Sequence, residues 1–500
     1  MNRLGKALLG LHAWGGMLFS CLLVPIFIAG SLAVFEPEIS HWMRPELNSP
    51  QFSPSTAADF GEARLRQIGA GAALWRLRLP SEREPTIGIA WGANPRALQE
   101  ETLDAANGSL LAPRATAGGH FFTKFHAELL LDTPGKWVVG ALGIFMLAAI
   151  VSGVLIHHRI FRDFFTFRPR ATRRRAWLDM HNLLGVATLP FLLAITYTGV
   201  VILAEAFMPA ATYALYEGKP RANRADVVKS FERKASGEKA GMLPLREHLA
   251  RAETQLGAGT ISMLMIRHPD DRNGLVQAYR HVVDRLSAVA DHVTFDAASG
   301  AVFGKQVEWN PMAYAYRAQV GLHVAHFGGA AIRWVYFVSG LLGAAMMGAG
   351  TVLFLRKRRQ RHGDDIVQRG LAALGAASVT GALLACLAYL WGNRLLPAAV
   401  DARIAWETGV FLAAWLLALL HALWRPSAAG WREQLYLAGW LAVLLPVLDW
   451  VSGTGTPDAI RQGIDLTAFV CGGLLVLCGR AWFMTEPARF GAPTAGEVRP

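Results

Sequence analysis

Apolar residues along this chain gather into eight runs, at about 8–35, 136–157, 181–204, 332–355, 369–391, 404–424, 434–450 and 464–484. Roughly 20 such residues cross a hydrocarbon core of about 30 Å as a helix. The polar stretches between the runs are uneven. Two of them, 36–131 and 205–322, are long and mixed in composition, whereas the runs from 369 onward are closely spaced. Inside the long stretches the hydrophobic pattern shifts to alternation, at Ala73–Leu79, Thr86–Trp91, Ser262–Ile266 and His292–Phe295, which predicts strands. The expected architecture is a mainly α polytopic membrane protein with two α+β insertions and four extra C-terminal transmembrane helices.

Charge supplies the orientation. Between the second and third runs stand Arg159, Arg162, Arg168, Arg170, Arg173, Arg174 and Arg175 against Asp163. Arg356, Lys357, Arg358, Arg359 and Arg361 follow the fourth run, and Arg3 and Lys6 precede the first. Cytoplasmic loops carry this excess of Lys and Arg, so both termini are expected inside and both insertions outside. The division predicted is a first span at 1–35, an insertion at 36–131, a span at 132–158 and a basic loop at 159–180. A span at 181–204, an insertion at 205–322, a span at 323–355 and a basic loop at 356–368 follow. The C-terminal region at 369–484 and a cytoplasmic tail at 485–500 complete it. The net charge of +12 thus marks span ends and not a nucleic-acid surface. Only 17% of residues are charged, against about 25% in soluble chains, which argues against an ordinary cytosolic enzyme. Cys21, Cys386, Cys471 and Cys478 lie within apolar runs and read as packing residues. The first run is too long for a signal-peptide core and is expected to stay as an anchor.

The chain repeats itself. Asp104-Ala105-Ala106-Asn107-Gly108 recurs as Asp296-Ala297-Ala298-Ser299-Gly300, a turn signal in which Asp caps the backbone and Gly takes positive φ. His126 is followed by Lys136 and Trp137, and His323 by Arg333 and Trp334 at the same offsets. Gly143 and Gly153 correspond to Gly340 and Gly350. His12, Gly16 and Gly30 correspond to His181, Gly185 and Gly199. The duplicated unit is helix, outside insertion, helix, at about 7–159 and 176–357.

Histidine is costly within a span and is a functional hypothesis by default. Duplication predicts that His12 faces His181 near the inner boundary and that His126 faces His323 near the outer one, within a four-helix core. Two neutral imidazoles facing across a helix bundle suit a b-type haem, so two haems are expected, with the histidines as axial ligands. Gly16 and Gly185 would leave room for a flat ring, and Lys136, Arg333, Lys6 or Arg175 could neutralise propionates. His326 is the alternative ligand to His323. His157 and His158 lack repeat partners, since Phe354 and Leu355 take those places, and His421 reads as a satisfied residue. The competing account is that each histidine bonds a neighbouring backbone and holds the bundle together. Pro134-Gly135 and Gly328-Gly329 are the places where the chain could bend to bring the outer pair back. No HExxH or complete G-x-G-x-x-G motif is present, so any electrons must come from another molecule.

Leu11-His12-Ala13-Trp14-Gly15-Gly16, the turns at Asp104 and Asp296, Phe125-His126, Met180-His181-Asn182-Leu183-Leu184-Gly185 and Gly321-Leu322-His323 together resemble the PepSY-associated transmembrane family, over about 5–358. Members include bacterial inner-membrane ferric-siderophore reductases. The resemblance implies periplasmic PepSY-like insertions, haem b on histidines of the core, and reduction of a ferric siderophore or another periplasmic ferric chelate. Quinol or a separate cytoplasmic reductase would be the donor. The rival expectations are a non-redox, membrane-anchored PepSY binding or regulatory protein, and a transporter that moves protons on the histidines.

Overall fold

The computed structural model describes residues 3–156, 173–207, 213–214, 217, 228–425, 427–453 and 457–484. Helix α1 (Arg3–Ala33) leads through α2 (Glu36–Trp42) into α3 (Pro54–Ile68) and strands β1 (Leu74–Arg78), β2 (Thr86–Gly92), β3 (Leu98–Asp104) and β4 (Leu110–Leu111). A short α4 (His120–Glu128) then precedes α5 (Asp132–Ile156). Apart from α2, the same order recurs among the described residues as α6 (Arg173–Phe207), α7 (Leu245–Leu256), β5 (Ile261–Arg267), β6 (Leu275–Arg280), β7 (His292–Asp296), β8 (Val302–Gln306), α8 (Pro311–Val324) and α9 (Gly329–His362). The C-terminal part is α10 (Ile366–Ala376), a π turn at Ala377–Gly381, α11 (Ala382–Leu395), α12 (Arg403–Trp424), α13 (Ser427–Val443), α14 (Leu445–Ser452) and α15 (Ala459–Met484).

Among the described residues seven helices are long and apolar enough to cross a membrane, with α10 and α11 joined as one. The pair α13 and α14 makes an eighth if taken as one span bent by 41°. Pro446, in the first turn of α14, cannot donate to the preceding turn and accounts for the break. Helices α1 and α6 each pack on both α5 and α9, closing a four-helix ring. Val151, Val154 and Leu155 remain exposed on α5, as expected of a helix whose outer face meets hydrocarbon.

The two insertions expected from the sequence are joined to each other. Their strands form one antiparallel sheet in the order β4-β3-β2-β1-β5-β6-β7-β8. The junction is β1 against β5, with Leu74 opposite Arg267 and Arg78 opposite Met263. Each would otherwise be an edge with unpaired amides, and joining them removes both edges. Helices α3 and α7 cover one face, where Trp75, Leu77, Ile87, Leu264, Ile266 and Phe295 form the core. The repeated turns close β3–β4 and β7–β8: Asp104 Oδ1 accepts from Ala106 N and Asp296 Oδ1 from Ser299 N, with φ of +71° at Gly108 and +69° at Gly300. They are turn chemistry.

Candidate functional site

A straight helix from His126 onward would carry that residue far beyond the bilayer. The chain bends instead. Leu129, Leu130 and Asp132 take left-handed φ between α4 and α5, and Ala325, Gly328 and Gly329 do so between α8 and α9. The bend in the first repeat therefore precedes Pro134-Gly135, which lie in the first turn of α5. Gly135 serves differently: a Cβ there would meet the Glu128 carbonyl oxygen at 1.6 Å, so glycine lets α5 start against the end of α4. Folded back, α4 packs on α1 and α8 packs on α6.

This arrangement brings the four histidines into two facing pairs. The His12 and His181 ring centroids are 6.3 Å apart with planes at 78°, and those of His126 and His323 are 5.9 Å apart at 37°. Two nitrogens bound at about 2 Å on opposite sides of one ion, with each ring centre about 1 Å further out, would give a separation of about 6 Å. Among the described residues no three or more His, Cys, Asp or Glu gather as a metal cluster, so each pair is a two-ligand arrangement.

Each ring is held by Nδ1. His12 Nδ1 lies 3.1 Å from the Ala149 carbonyl oxygen and 3.2 Å from Ser152 Oγ, while His181 Nδ1 is 2.9 Å from the Met346 carbonyl. His126 Nδ1 donates to the Ile26 carbonyl at 2.9 Å, and His323 Nδ1 to Thr198 Oγ1 at 3.0 Å. Thr198 Oγ1 donates onward to the Ala194 carbonyl at 2.7 Å, which leaves it to accept from the ring. A carbonyl cannot donate, so these partners accept the Nδ1 proton's hydrogen bond and leave the Nε2 lone pair free for an electron-pair acceptor such as a metal ion. Among the described residues nothing hydrogen-bonds to the four Nε2 atoms.

The repeated glycines explain how the rings fit. A Cβ on Gly30 would lie 2.6 Å from His126 Nδ1, and one on Gly199 would lie 2.9 Å from His323 Cε1. At the other pair the separations are 3.2 Å from Gly153 to His12 and 3.1 Å from Gly350 to His181. Each imidazole thus lies on a bare stretch of helix backbone. Gly30 follows His12 by 18 residues, as Gly199 follows His181. At 1.5 Å per residue the two pairs stand about 27 Å apart along the bundle.

A cavity of about 500 Å3 surrounds the His12–His181 pair, within the roughly 300–1,000 Å3 range of cofactor clefts. Met146, Leu189, Met347 and Phe354 are among its apolar walls, Gly16 and Gly185 line it, and Lys357 reaches it from the basic end. A Cβ on Gly16 would meet nothing within 4 Å. Neutral nitrogen donors on opposite walls of an apolar slot, with a cation at one rim, fit a flat, dianionic iron macrocycle.

Comparison with known proteins bears on the same stretch of chain. The family described as the PepSY-associated TM region matches residues 9–357. The chain belongs to this family. An uncharacterised protein of Pseudomonas aeruginosa is 27% identical over 403 residues, covering 74% of this chain and 95% of the relative. The family match ends before α10, so the C-terminal helices of this PepSY-associated membrane protein lie beyond it.

Other sequence expectations resolve individually. The ring facing His126 is His323, while His326 sits beyond the end of α8 with Nδ1 buried and unpartnered. Burial, then Arg83, pushes the His326 imidazole below its ordinary range, and Arg333 acts in the same direction. Two suggested propionate partners are already engaged: Lys136 Nζ is 3.4 Å from Glu128, and Arg175 Nε is 2.9 Å from Asp179 one turn along its helix. Arg333 has a buried Nε without a partner and remains available, as does Lys357. His421 is satisfied by Glu433 at 3.0 Å and by Gln434. His157, His158 and the basic loop from 159 to 172 lie outside the described residues.

Sequence reasoning passed over the buried charges of the C-terminal helices. Glu407, Asp449 and Arg461 are almost fully buried, and Asp449 pairs with both Arg394 and Arg461. Their signal was present as ionisable residues in or beside apolar runs, which carry the same default as membrane histidine.

Proposed function

We propose that this protein is a di-haem b oxidoreductase of the bacterial inner membrane, a ferric-siderophore reductase type that passes electrons outward to ferric iron in a periplasmic chelate. The observation that supports it most is the pair of facing imidazole pairs, each ring fixed through Nδ1 with Nε2 left free. His12 and His181 would hold one haem near the cytoplasmic side. His126 and His323 would hold the other beneath the sheet, which on this reading is periplasmic and PepSY-like. Bound there, haem b would supply reversible one-electron transfer.

The residues do the rest by position. The carbonyls of Ala149, Met346 and Ile26 and the hydroxyl of Thr198 fix ring orientation and raise ligand basicity. Lys357 and Arg333 would neutralise carboxylates, and the apolar walls exclude water. One electron enters from quinol or a separate cytoplasmic reductase, and one electron converts Fe(III) to Fe(II) in the chelate. Hard oxygen ligands hold the ferrous ion less tightly, so it is released.

A second reading has one observation in its favour. Three of the four Nδ1 atoms bond backbone carbonyls of a neighbouring helix, as they would in a non-redox protein that anchors a binding or regulatory sheet. An absorption spectrum separates the readings. Purified protein is expected to show a Soret band that shifts on adding dithionite, with two haems per chain, and the paired change His12→Ala with His181→Ala should leave one. A colourless protein would support the anchor.

A further inference from the structure

The two short histidine helices are held by unlike surroundings. Counting 197 residues on from α4 into α8 aligns His126 with His323, but Phe121, Phe122 and Phe125 then meet Ala318, Gln319 and Leu322. The repeats diverge at these three positions. On α4 those aromatics enter the C-terminal helices. Phe121 stacks on Tyr389 of α11 with centroids 4.2 Å apart and planes at 16°, and it meets Phe411 of α12 edge-on at 4.9 Å. Phe122 abuts Tyr389 at 5.5 Å, and Phe125 abuts Phe411 and Trp415 at 5.3 and 5.6 Å.

The segment entering α4 is tied to the same helices by polar contacts. Tyr389 donates its hydroxyl to the Gly118 carbonyl at 3.0 Å. Thr116 donates to Glu407 at 2.6 Å and accepts from Gly118 N at 3.0 Å. Asn393 donates to the other Glu407 oxygen at 2.8 Å, and Arg403 pairs with Glu407 at 3.2 Å. Tyr389 and Glu407 are completely buried. On α8 the corresponding region leaves Met312, Tyr314 and Tyr316 exposed, and Ser287 bonds the Tyr314 carbonyl from its own insertion.

We propose that α11 and α12, which lie beyond the family match, are the positioning element for the His126–His323 pair, with Tyr389 as its central residue. This rests on the di-haem reading. A stacked ring and a hydroxyl bond fix the height and rotation of α4, and so how His126 meets its partner, while the His12–His181 pair has no part in the contact. The Tyr389 contact then tunes the outer end of the electron path, whereas the C-terminal residues that cluster with Met17 of the inner cavity, Leu371, Ala372 and Ala422 among them, are separate from it.

The test compares full-length Tyr389→Leu, Tyr389→Phe and wild type by haem content, low-temperature visible and EPR spectra, and redox titration. The haem that disappears on His181→Ala marks the inner one and serves as the folding control. Tyr389→Leu is expected to lose or spectrally shift the haem that disappears on His323→Ala, with the inner signal unchanged. Tyr389→Phe, which keeps the stack, should recover most of the wild-type signal. If Tyr389→Leu cannot be recovered from membranes, Phe121→Leu reads the same contact from the α4 side. Two unaltered haems, or equal disturbance of both, would overturn the proposal. Wild-type protein without haem would instead refute the di-haem reading itself.

Discussion

The two histidine pairs are related by duplication yet built differently. His12 and His181 sit directly on spans, one or two turns inside the basic end, and their rings face a sizeable apolar cavity. His126 and His323 sit on short helices folded back by left-handed residues, with closer glycine backing and flatter mutual angle. The first pair is placed by helix packing alone. The second depends on a bend and on whatever holds the folded-back helix, so distant parts of the chain can act on it. Repetition supplied facing histidines at both ends, and the residues around them diverged.

The largest expected effect comes from removing the carboxylate beneath α4. Glu407→Ala leaves Arg403, Asn393 and Thr116 without their shared acceptor in a buried site, a change that typically costs about 3–5 kcal/mol. Thermal unfolding in detergent should report it, and the His126–His323 end should be lost before the other. A transition in which both ends melt together with unchanged midpoint would break the comparison. Next in size is the glycine backing. Gly30→Ala puts a methyl 2.6 Å from His126 Nδ1 and should displace the ring from the Ile26 carbonyl, whereas Gly153→Ala meets His12 at 3.2 Å. Haem retention on the proposed reading should fall several-fold in the first variant and much less in the second. Equal losses would show that backing distance does not distinguish the ends.

The smallest effect concerns the contact between α2 and the loop before α15. Burial would raise the Asp458 carboxyl, but hydrogen bonds from His41, Arg461 N and Ser49 outweigh it and hold the group at about 2, against an ordinary 3.8. A depressed folded value means stabilisation that is full above the unfolded value and disappears as pH falls through the folded one. Wild type should therefore lose its melting-temperature advantage over Asp458→Asn between about pH 4 and about pH 2. A pH-independent difference would remove the carboxylate from that contact.

How much of this was legible varies with the range of the interaction. Apolar runs announce α1, α5, α6 and α9 because each must satisfy its own backbone in lipid. Strands β1, β2, β5 and β7 alternate and were readable, whereas Leu98–Asp104 carries Glu100 and Glu101 and hides β3 behind polar composition. The β1–β5 junction was not legible, because it pairs residues nearly two hundred positions apart. The histidines stood out through repetition. Their Nδ1 partners did not, since a backbone carbonyl has no residue type, and the Pro134-Gly135 motif drew the bend slightly too late.

The junction of β1 with β5 has a mechanical consequence. It yokes one copy of the duplicated unit to the other above the helices, so neither can tilt or slide without shearing a ladder of five residue pairs. A brace of that kind suits a device whose working parts must keep a fixed gap through thermal motion, and it implies that neither copy would fold correctly if expressed without its twin.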